Sequence, residues 1–520
     1  GKIWTAGNGN NNWNDPLNWF SFGVPTQLDN VVIPFGPAFY PETNDGPLAV
    51  TKELFIEAGA YLMVPDNNGL TTFGDVTNFG QLIVDSKFNG NSGTFINEGA
   101  LGGTGTYSFN RHIPGLSAQG NPEGWHHLSS PVTGMSCHSM FDYFINDWDE
   151  TQNTWYNYSP SDMECVPGPD NPLNIMKGYS VKRSMSYACG AVNPGTGSVI
   201  EFTGGMGEVN TGNYSIAVTG TDFSGGGVYD NWNLVGNPYS ASIDYEVWHD
   251  VMGGIPPQVD DAVYYWDDAA LTYRQWVNGV GYTQFIPPTQ GFFMHTNTPG
   301  TWSLDVDNTV RTHSGANEFF KSSVKDLLVI KASGNEYEDL TYIRFMEKAT
   351  PGFDGKYDAF KLLSEVEYVP QVYTLSGKER LSINSLPETE SMELAFRAGI
   401  AGMYTLEATE QNDFETLLLE DLHTGNIVDL KSGSYSFNYS PEEDDARFII
   451  HFGSSQTNGE EDRISVYSAG GQLYVNNGSG STGHVTVYNL LGQGVHSAEV
   501  YEGLNTYGFN TKDAYYIIQI

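Results

Sequence analysis

Two adjacent histidines, His126 and His127, come nearest to a metal-binding pair in this 520-residue chain. Imidazole nitrogens are good ligands for zinc. Neighbouring residues of a strand point to opposite faces, however, so the two rings are badly placed to share one ion. A second copy of the surrounding segment, described below, has Asn233 and Leu234 in these places. A structural role is therefore favoured, and no metal-binding residue is predicted.

Two groups of carboxylates could supply the oxygen ligands that calcium prefers. The first group is Asp147, Asp149 and Glu150, and the second is Asp260, Asp261, Asp267 and Asp268. Neither group has the spacing of a D-x-[DN]-x-[DN]-G calcium loop. With 62 acidic residues in the chain, such groups also arise by chance in solvated turns. Structural calcium is left open, and no other cofactor is predicted.

Familiar catalytic motifs are missing from the sequence. No G-x-S-x-G, H-E-x-x-H, P-loop, C-x-x-C or G-x-G-x-x-G pattern stands in a suitable strand–turn–helix setting. We therefore predict no catalytic or cofactor-binding residue and favour a protein that is not an enzyme. A carboxylate pair for glycoside hydrolysis leaves no local signature, because the fold sets its spacing. A secreted polysaccharide hydrolase or peptidase stays the alternative.

Three cysteines, Cys137, Cys165 and Cys189, lie within one region of the chain. In an exported protein we expect one disulfide and one remaining thiol. The sequence spacing does not decide the pair. We expect Cys165 and Cys189, since both lie in a loop-rich stretch that a crosslink would restrain.

The composition favours an all-β, multidomain protein. Glycine is abundant and aromatic residues make up 13% of the chain, which is typical of strands and turns. A length of 520 residues indicates three or four domains. The net charge of −39 argues against a nucleic-acid partner. No apolar run is long enough for a transmembrane helix, and Gly1 opens no signal peptide, so we expect a mature or excised form.

The middle of the chain contains an internal repeat. Residues 124–131 (GWHHLSSP) match residues 231–238 (NWNLVGNP), with Trp125 aligned on Trp232. Further on, the pair Trp148 and Trp155 matches Trp266 and Tyr273 at the same separation, which predicts a hairpin with two rings on one face. We predict two β-rich copies, 113–228 and 229–315, with both aligned tryptophans buried.

The regions on either side of the repeat also consist of short strands. Residues 1–112 have short apolar runs separated by N-x-G turns and are predicted to form a β-solenoid-like domain. Trp13 and Trp19 in this domain are interpreted as core or capping residues, with a carbohydrate platform as the alternative. Residues 316–453 have strands at about ten-residue spacing, which predicts a β-sandwich. Residues 454–461 are polar and are predicted to be a linker.

The last segment, residues 462–520, is predicted to be a small immunoglobulin-like sandwich. Its apolar residues alternate in the runs 464–467, 472–475, 485–492 and 515–520. The order I-x-V-Y, L-x-V, V-x-V-Y-N-L-L-G-Q and Y-Y-I-I-x-I resembles the C-terminal sorting domain of the Bacteroidetes type IX secretion system. Ala514 replaces the usual glycine of that family, and the family's final lysine-containing strand is missing from the sequence.

The resemblance implies export through the periplasm to the outer-membrane surface or the medium. The expected partners are the type IX translocon and its shuttle or sortase, acting on residues 462–520, with surface lipopolysaccharide or glycans as further partners. We therefore expect a secreted or cell-surface, non-catalytic protein that acts in adhesion or in an extracellular structure. The C-terminal part of a larger adhesin is a further alternative.

Overall fold

The computed structural model describes residues 1–44, 46–87, 91–113, 124–140, 143–158, 171–183, 198–205, 207–221, 230–314, 324–411, 414, 416–452, 464–469, 472–477, 480–489, 493–508 and 516–520. Nearly all of its regular structure is strand, which confirms the all-β, multidomain prediction. The chain divides into two compact units, Gly1–Ser322 and Ser323–Ile520. The short helical segments are Pro16–Asn18, Cys137–Met140, Glu150–Gln152, Val247–Met252 and Asn308–Val310. Within the described ranges, no helix has the length and apolar character needed to cross a bilayer.

The N-terminal unit begins with a β-solenoid, as predicted. Its strands are Lys2–Trp4 (β1), Trp19–Phe20 (β2), Asn30–Ile33 (β3), Ala49–Thr51 (β4), Glu53–Ile56 (β5), Tyr61–Val64 (β6), Gly69–Thr72 (β7), Val76–Asn78 (β8), Gln81–Val84 (β9), Thr94–Asn97 (β10) and Leu101–Gly102 (β11). Parallel pairing stacks β3, β5, β8 and β11 on one face and β4, β7 and β10 on a second. Each coil thus buries its apolar side chains only by stacking on the next coil.

Three tryptophans close the beginning of the solenoid. Trp4, Trp13 and Trp19 are all buried, and the Trp19 ring meets the other two edge to face at 5.0 and 4.8 Å. The Trp19 Nε1–H donates to the Trp13 carbonyl at 2.8 Å, which satisfies the polar atom of a buried indole. Core packing is therefore confirmed for Trp13 and Trp19, and the carbohydrate platform is wrong because neither ring is accessible.

The two repeat copies follow the solenoid. The strands of the first copy are Thr106–Ile113 (β12), Trp125–Leu128 (β13), Tyr143–Asp149 (β14), Thr154–Asn157 (β15), Tyr179–Arg183 (β16) and Ser198–Gly204 (β17). Those of the second are Tyr214–Gly220 (β18), Trp232–Gly236 (β19), Ser242–Asp244 (β20), Val263–Asp267 (β21), Thr272–Val277 (β22), Val280–Gly281 (β23), Phe285–Ile286 (β24), Gly291–His295 (β25), Gly300–Val306 (β26) and Arg311–Thr312 (β27).

The two copies have the same strand arrangement. One sheet runs β13-β16-β14-β15 and the other β19-β25-β21-β22-β23, so aligned strands occupy aligned places. The outer strands also correspond, because β12 pairs antiparallel with β17 as β18 does with β26. β12 pairs in addition with β9 of the solenoid in parallel, and the solenoid and the first copy share one hydrophobic core. Grouped by this pairing, the copies begin with β12 and β18, which start before residues 113 and 229. The division into 1–112, 113–228 and 229–315 itself stays a prediction.

The C-terminal unit contains a strongly curved sheet. Its strands are Leu327–Gly334 (β28), Tyr337–Phe345 (β29), Ala359–Phe360 (β30), Gln371–Ser376 (β31), Glu379–Leu386 (β32), Ser391–Arg397 (β33), Gly402–Glu410 (β34), Leu417–Asp421 (β35), Asn426–Asp429 (β36), Tyr435–Tyr439 (β37) and Phe448–Phe452 (β38). The order is β36-β35-β38-β33-β31-β32-β29-β28-β34-β37, and the short strand β30 also pairs with β32. Phe437 on the last strand packs against Phe396 on β33 at 5.0 Å, so the sheet folds over its own core.

The terminal segment forms two small sheets. Its strands are Ile464–Ala469 (β39), Gln472–Asn477 (β40), Gly483–Asn489 (β41), Gly494–Val500 (β42), Gly503–Gly508 (β43) and Tyr516–Gln519 (β44). The sheets have the orders β39-β40-β43 and β42-β41-β44 and share a core around Leu473, Val475 and Val485. Two of these strands, β42 and β43, were not predicted. The predicted linker 454–461 and Ala514 lie outside the described residues.

Candidate functional sites

The repeated hairpins place their aromatic pairs in the same geometry. Trp148 is directly opposite Trp155, and Trp266 is directly opposite Tyr273. Both ring pairs have centroids 5.1 Å apart, and their planes meet edge to face at 66° and 67°. Such cross-strand pairs stabilise a two-stranded ribbon. The prediction of hairpins with two rings on one face is confirmed.

The two copies contact each other through reciprocal backbone contacts. Ser129 N–H donates to the Thr289 carbonyl at 3.0 Å, and the aligned Gly236 N–H donates to the aligned Met176 carbonyl at 2.8 Å. Met176 and Thr289 both have a left-handed backbone, with φ of 59° and 62°. Left-handed conformations are uncommon outside glycine, so their recurrence at aligned positions marks a shared constraint of the interface. The copies are therefore related by an approximate two-fold axis.

The aligned tryptophans differ in burial. Trp125 pairs with Lys182 and Trp232 pairs with His295, which are aligned register positions. Trp232 is 3% exposed, whereas Trp125 is half-buried and lies beneath the Lys182 ammonium at 5.6 Å. The expectation that both are buried is wrong for Trp125. One face of its ring is covered by the long side chain of Lys182 and not by core residues, which leaves the ring partly accessible to solvent.

His126 and His127 face different surroundings. The His126 Nδ1 atom is 3.7 Å from Asp268 Oδ1 of the second copy. The His127 ring lies among Trp155, Tyr273 and Phe293 at 5.4 to 6.1 Å. Burial lowers the pKa of each histidine to about 3, so both rings are neutral. They serve packing between the two copies, and the structure does not bring them together around a common point.

The first carboxylate group is held by internal partners. Asp147 is 2.8 Å from the Lys177 ammonium and accepts a 2.5 Å hydrogen bond from the Tyr156 hydroxyl. Burial and then the bond to Asp147 raise the pKa of Tyr156. Glu150 accepts hydrogen bonds from the Thr221 amide at 2.9 Å and the Thr221 hydroxyl at 2.7 Å. Both carboxylates therefore already have strong donors.

The second carboxylate group is dispersed among separate pairs. Asp260 is 2.6 Å from His295, Asp261 is 3.0 Å from His249 and Asp267 is 3.2 Å from Arg274. The hydrogen bond with Asp261, followed by that with Asp250, raises the pKa of His249 to about 9. Burial raises the pKa of Asp268 to about 6. Across the described residues, no three histidine, cysteine or carboxylate side chains are placed to hold a metal ion.

A cavity of about 230 Å³ lies where the first hairpin meets the second copy. Trp148, Asp149 and Tyr156 line it from one side, and Thr219 and Asn233 line it from the other. Sequence reasoning missed this cavity. Its walls come from strands far apart in the chain, and only the alignment of Asn233 with His126 signals that a smaller side chain stands there.

An apolar ladder crosses the exposed face of the first solenoid sheet. Strand register places Phe20, Ile3, Val32 and Phe55 side by side. Phe20 is 66% exposed and Phe55 is 36% exposed, while their strand neighbours point into the core. The sequence held a signal for it, since three consecutive apolar residues in a strand with one buried face leave the middle one outside. Aligned exposed apolar side chains mark interaction surfaces.

The disulfide prediction is not resolved by the structure. Cys137 is buried, and its sulfur is 3.4 Å from the Asn171 amide nitrogen. Cys165 and Cys189 lie outside the described residues, so their pairing stays a prediction.

Comparison with known proteins relates the chain to one family and one curated relative. The relative is the minor fimbrium subunit Mfa5 of Porphyromonas gingivalis, which is 24% identical over an alignment of 572 positions, gaps included. The alignment covers 98% of this chain but 44% of that protein, so the chain spans less than half the relative's length. No solved structure matches. The model of a family described as a domain of unknown function, DUF8693, matches residues 3–278 and 272–452. Because these matches cover most of the sequence, the chain belongs to the DUF8693 family.

Proposed function

We propose that the chain is a non-catalytic cell-surface protein that acts in adhesion or as part of an extracellular structure. The observation that carries this proposal is the apolar ladder, which presents aromatic side chains to solvent on a rigid sheet. Binding surfaces of this kind lose little conformational entropy on association. The alignment with a fimbrium subunit over nearly the whole chain supports a surface role.

The alternative of a polysaccharide hydrolase or a peptidase has less support. A catalytic carboxylate must be placed to exchange a proton with the substrate or with an attacking water. Both oxygens of Glu150 accept bonds from Thr221, and both oxygens of Asp147 face Lys177 or Tyr156. These carboxylates suit a structural role better. A larger adhesin, of which these residues form the C-terminal part, remains a compatible proposal.

Substituting the ladder tests the adhesive role. We expect Phe20→Ser combined with Phe55→Ser to abolish most adherence of beads coated with the purified protein to the cells that produce it. Folding should change by about 0.5 kcal/mol at Phe20, which is 66% exposed, and by about 1 kcal/mol at Phe55, which is 36% exposed and packs against Phe79 at 5.8 Å. Leu28→Ser is the matched control, since Leu28 is 81% exposed but lies outside the ladder. Undiminished adherence of the double variant would show that the ladder is not the contact surface.

Export is proposed to follow the type IX route, with residues 462–520 read by the translocon and its sortase. The compact double-sheet module supports this proposal because it can fold around its own core. Deleting 462–520 should leave the remaining domains folded while the protein accumulates in the periplasm. Cell fractionation and circular dichroism measure the two outcomes.

A pair of point variants controls for the deletion. Leu473→Asp, which places a charge in the buried core of the module, should also stop export. Tyr501→Ser, at a 59% exposed site, should be exported normally. Arrival of the truncated chain in the medium, or loss of cooperative unfolding in its remaining domains, would mean that the module is structural and not an address.

A further inference from the structure

The interface between the two copies contains two equivalent positions, because each copy contributes residues from the same aligned positions to it. A side chain of the first copy fills one position, called the filled place, and the other, called the open place, borders a cavity. In the filled place, His126 of the first copy reaches to 3.7 Å from Asp268 in the second hairpin. The aligned residues in the open place are Asn233 and Glu150. The Asn233 side chain folds back onto Thr219, donating to its carbonyl at 2.8 Å and accepting from its amide at 2.9 Å. The cavity of about 230 Å³ lies at this open place, and Asn233 is one of the residues that line it.

The walls of the cavity are fixed in advance. Lys177 and Tyr156 both contact Asp147, and Glu150 is tied to Thr221 of the second copy. Side chains held by such bonds have little rotamer freedom left to lose when a ligand enters. A few polar groups held in place beside apolar ones, here Leu234 and Val235, are what gives a small-molecule site its specificity.

The wall still has hydrogen-bonding capacity for a ligand. Asp149 uses its Oδ1 atom to accept from the Thr151 hydroxyl at 2.6 Å and the Gln152 amide at 3.2 Å. Its Oδ2 atom accepts no hydrogen bond from the described residues. The Lys177 ammonium has three N–H groups, and its contacts with Asp147 at 2.8 Å and the Trp148 carbonyl at 3.5 Å leave one of them for a ligand among the described residues. The Tyr156 oxygen keeps a lone pair after donating to Asp147. The cavity therefore offers both donors and acceptors.

Charge and size narrow the ligand class. A cation would meet Lys177 and an anion would meet Asp149, so a neutral ligand with many hydroxyl groups fits the wall best. Trp148 adds an aromatic surface beside these groups. The volume is below the ~300–1,000 Å³ of drug-sized pockets. A ligand of one ring is indicated.

We propose that this cavity binds one neutral sugar unit of a glycan. Asp149 and Lys177 would bond its hydroxyl groups, and the side chains of the opposite wall would exclude larger units. This assignment rests on the proposed adhesive role, for which it names a ligand class. The apolar ladder belongs to the solenoid, so the two surfaces can be tested separately.

Matched hairpin variants test the proposal. The probes are the methyl glycosides of glucose, galactose, mannose and N-acetylglucosamine, added to the full chain and followed by saturation-transfer NMR and calorimetry. Asp149→Asn should weaken binding of the preferred glycoside about tenfold or more, because it replaces a charge-assisted hydrogen bond. Asp267→Asn should leave affinity unchanged, since Asp267 accepts the corresponding turn bonds from Ala269 and Ala270 in the second hairpin. Asparagine preserves the turn in both variants.

A second variant tests occupancy of the cavity itself. Asn233→His copies the residue of the filled place and should abolish binding while thermal unfolding shows that the fold persists. The ladder double variant should bind the glycoside normally. The proposal would be overturned if the unmodified chain bound none of the glycosides saturably. It would also be overturned if both Asp149→Asn and Asn233→His bound the preferred glycoside as tightly as the unmodified chain. Such a failure would leave the adhesive role standing if the ladder variant still lost adherence.

Discussion

Replacing Lys361 with methionine is expected to destabilise the C-terminal unit by about 3–5 kcal/mol. Lys361 is 0% exposed, and its ammonium is 2.5 Å from Asp339, which is 1% exposed. The same Asp339 oxygen accepts a 2.8 Å bond from the Val372 amide, so this carboxylate joins β29, β31 and the residue after β30. Removing the ammonium leaves a buried negative charge with no cation beside it. The loss is far larger than for a surface ion pair, which contributes about 0–1 kcal/mol.

The distribution of tryptophans allows this loss to be assigned to one unit. All 11 tryptophans lie before residue 303, so tryptophan fluorescence follows the N-terminal unit while calorimetry follows both. We expect Lys361→Met to lower the midpoint temperature of one calorimetric transition. The midpoint temperature of the transition followed by tryptophan fluorescence should not change. Lys348→Met, at an exposed site, is the control. Combining Lys361→Met with Asp339→Leu should recover only part of the stability, because the buried charge is removed but the Val372 amide loses its carboxylate acceptor. A single variant within about 1 kcal/mol of the parent would refute the importance of the pair.

Replacing Trp232 with alanine should cost about 3–5 kcal/mol in the N-terminal unit, whereas Trp125→Ala should cost about 1 kcal/mol. The Trp232 ring is buried edge to face against Tyr264 at 4.7 Å. The carbonyl of the same residue accepts the Trp148 Nε1–H bond at 2.8 Å, which joins the two copies. Alanine leaves a large cavity at that junction. Trp125 is half-buried under Lys182, and solvent can replace much of its contact.

Urea unfolding followed by far-ultraviolet circular dichroism measures both substitutions. The two residues occupy aligned register positions, so each variant is the control for the other. A change of slope with urea would indicate loss of cooperativity between the copies. Equal losses at the two positions would contradict the difference in burial on which the prediction depends.

Local spacing made the hairpins and the solenoid predictable from sequence. Trp148 and Trp155, or Trp266 and Tyr273, are seven residues apart, and a tight hairpin must bring such residues face to face. Trp13 and Trp19 could be placed in the core because their size favours burial. In each case the deciding contact is close in sequence.

The features that escaped prediction depend on contacts between distant strands. Lys361 follows a two-residue strand, and its sequence context is that of a surface lysine. Only the pairing of other strands places Asp339 beside it. The half-burial of Trp125 depends on Lys182, and the cavity depends on Asn233 folding onto Thr219. The side-by-side position of the ladder residues depends on the register of the parallel strands, and no pattern within a single strand determines that register.

The two-fold relation between the copies has an evolutionary consequence. The reciprocal bonds of Ser129 with Thr289 and of Gly236 with Met176 are those of a symmetric dimer in which one surface meets itself. In a true homodimer a single codon change alters both halves at once. Joined in one polypeptide, duplicated halves are free to diverge. One ancestral contact could then become the pair of His126 and Asp268. Its two-fold equivalent, at Asn233 and Glu150, could become an open recess whose residues selection can change without altering the first contact.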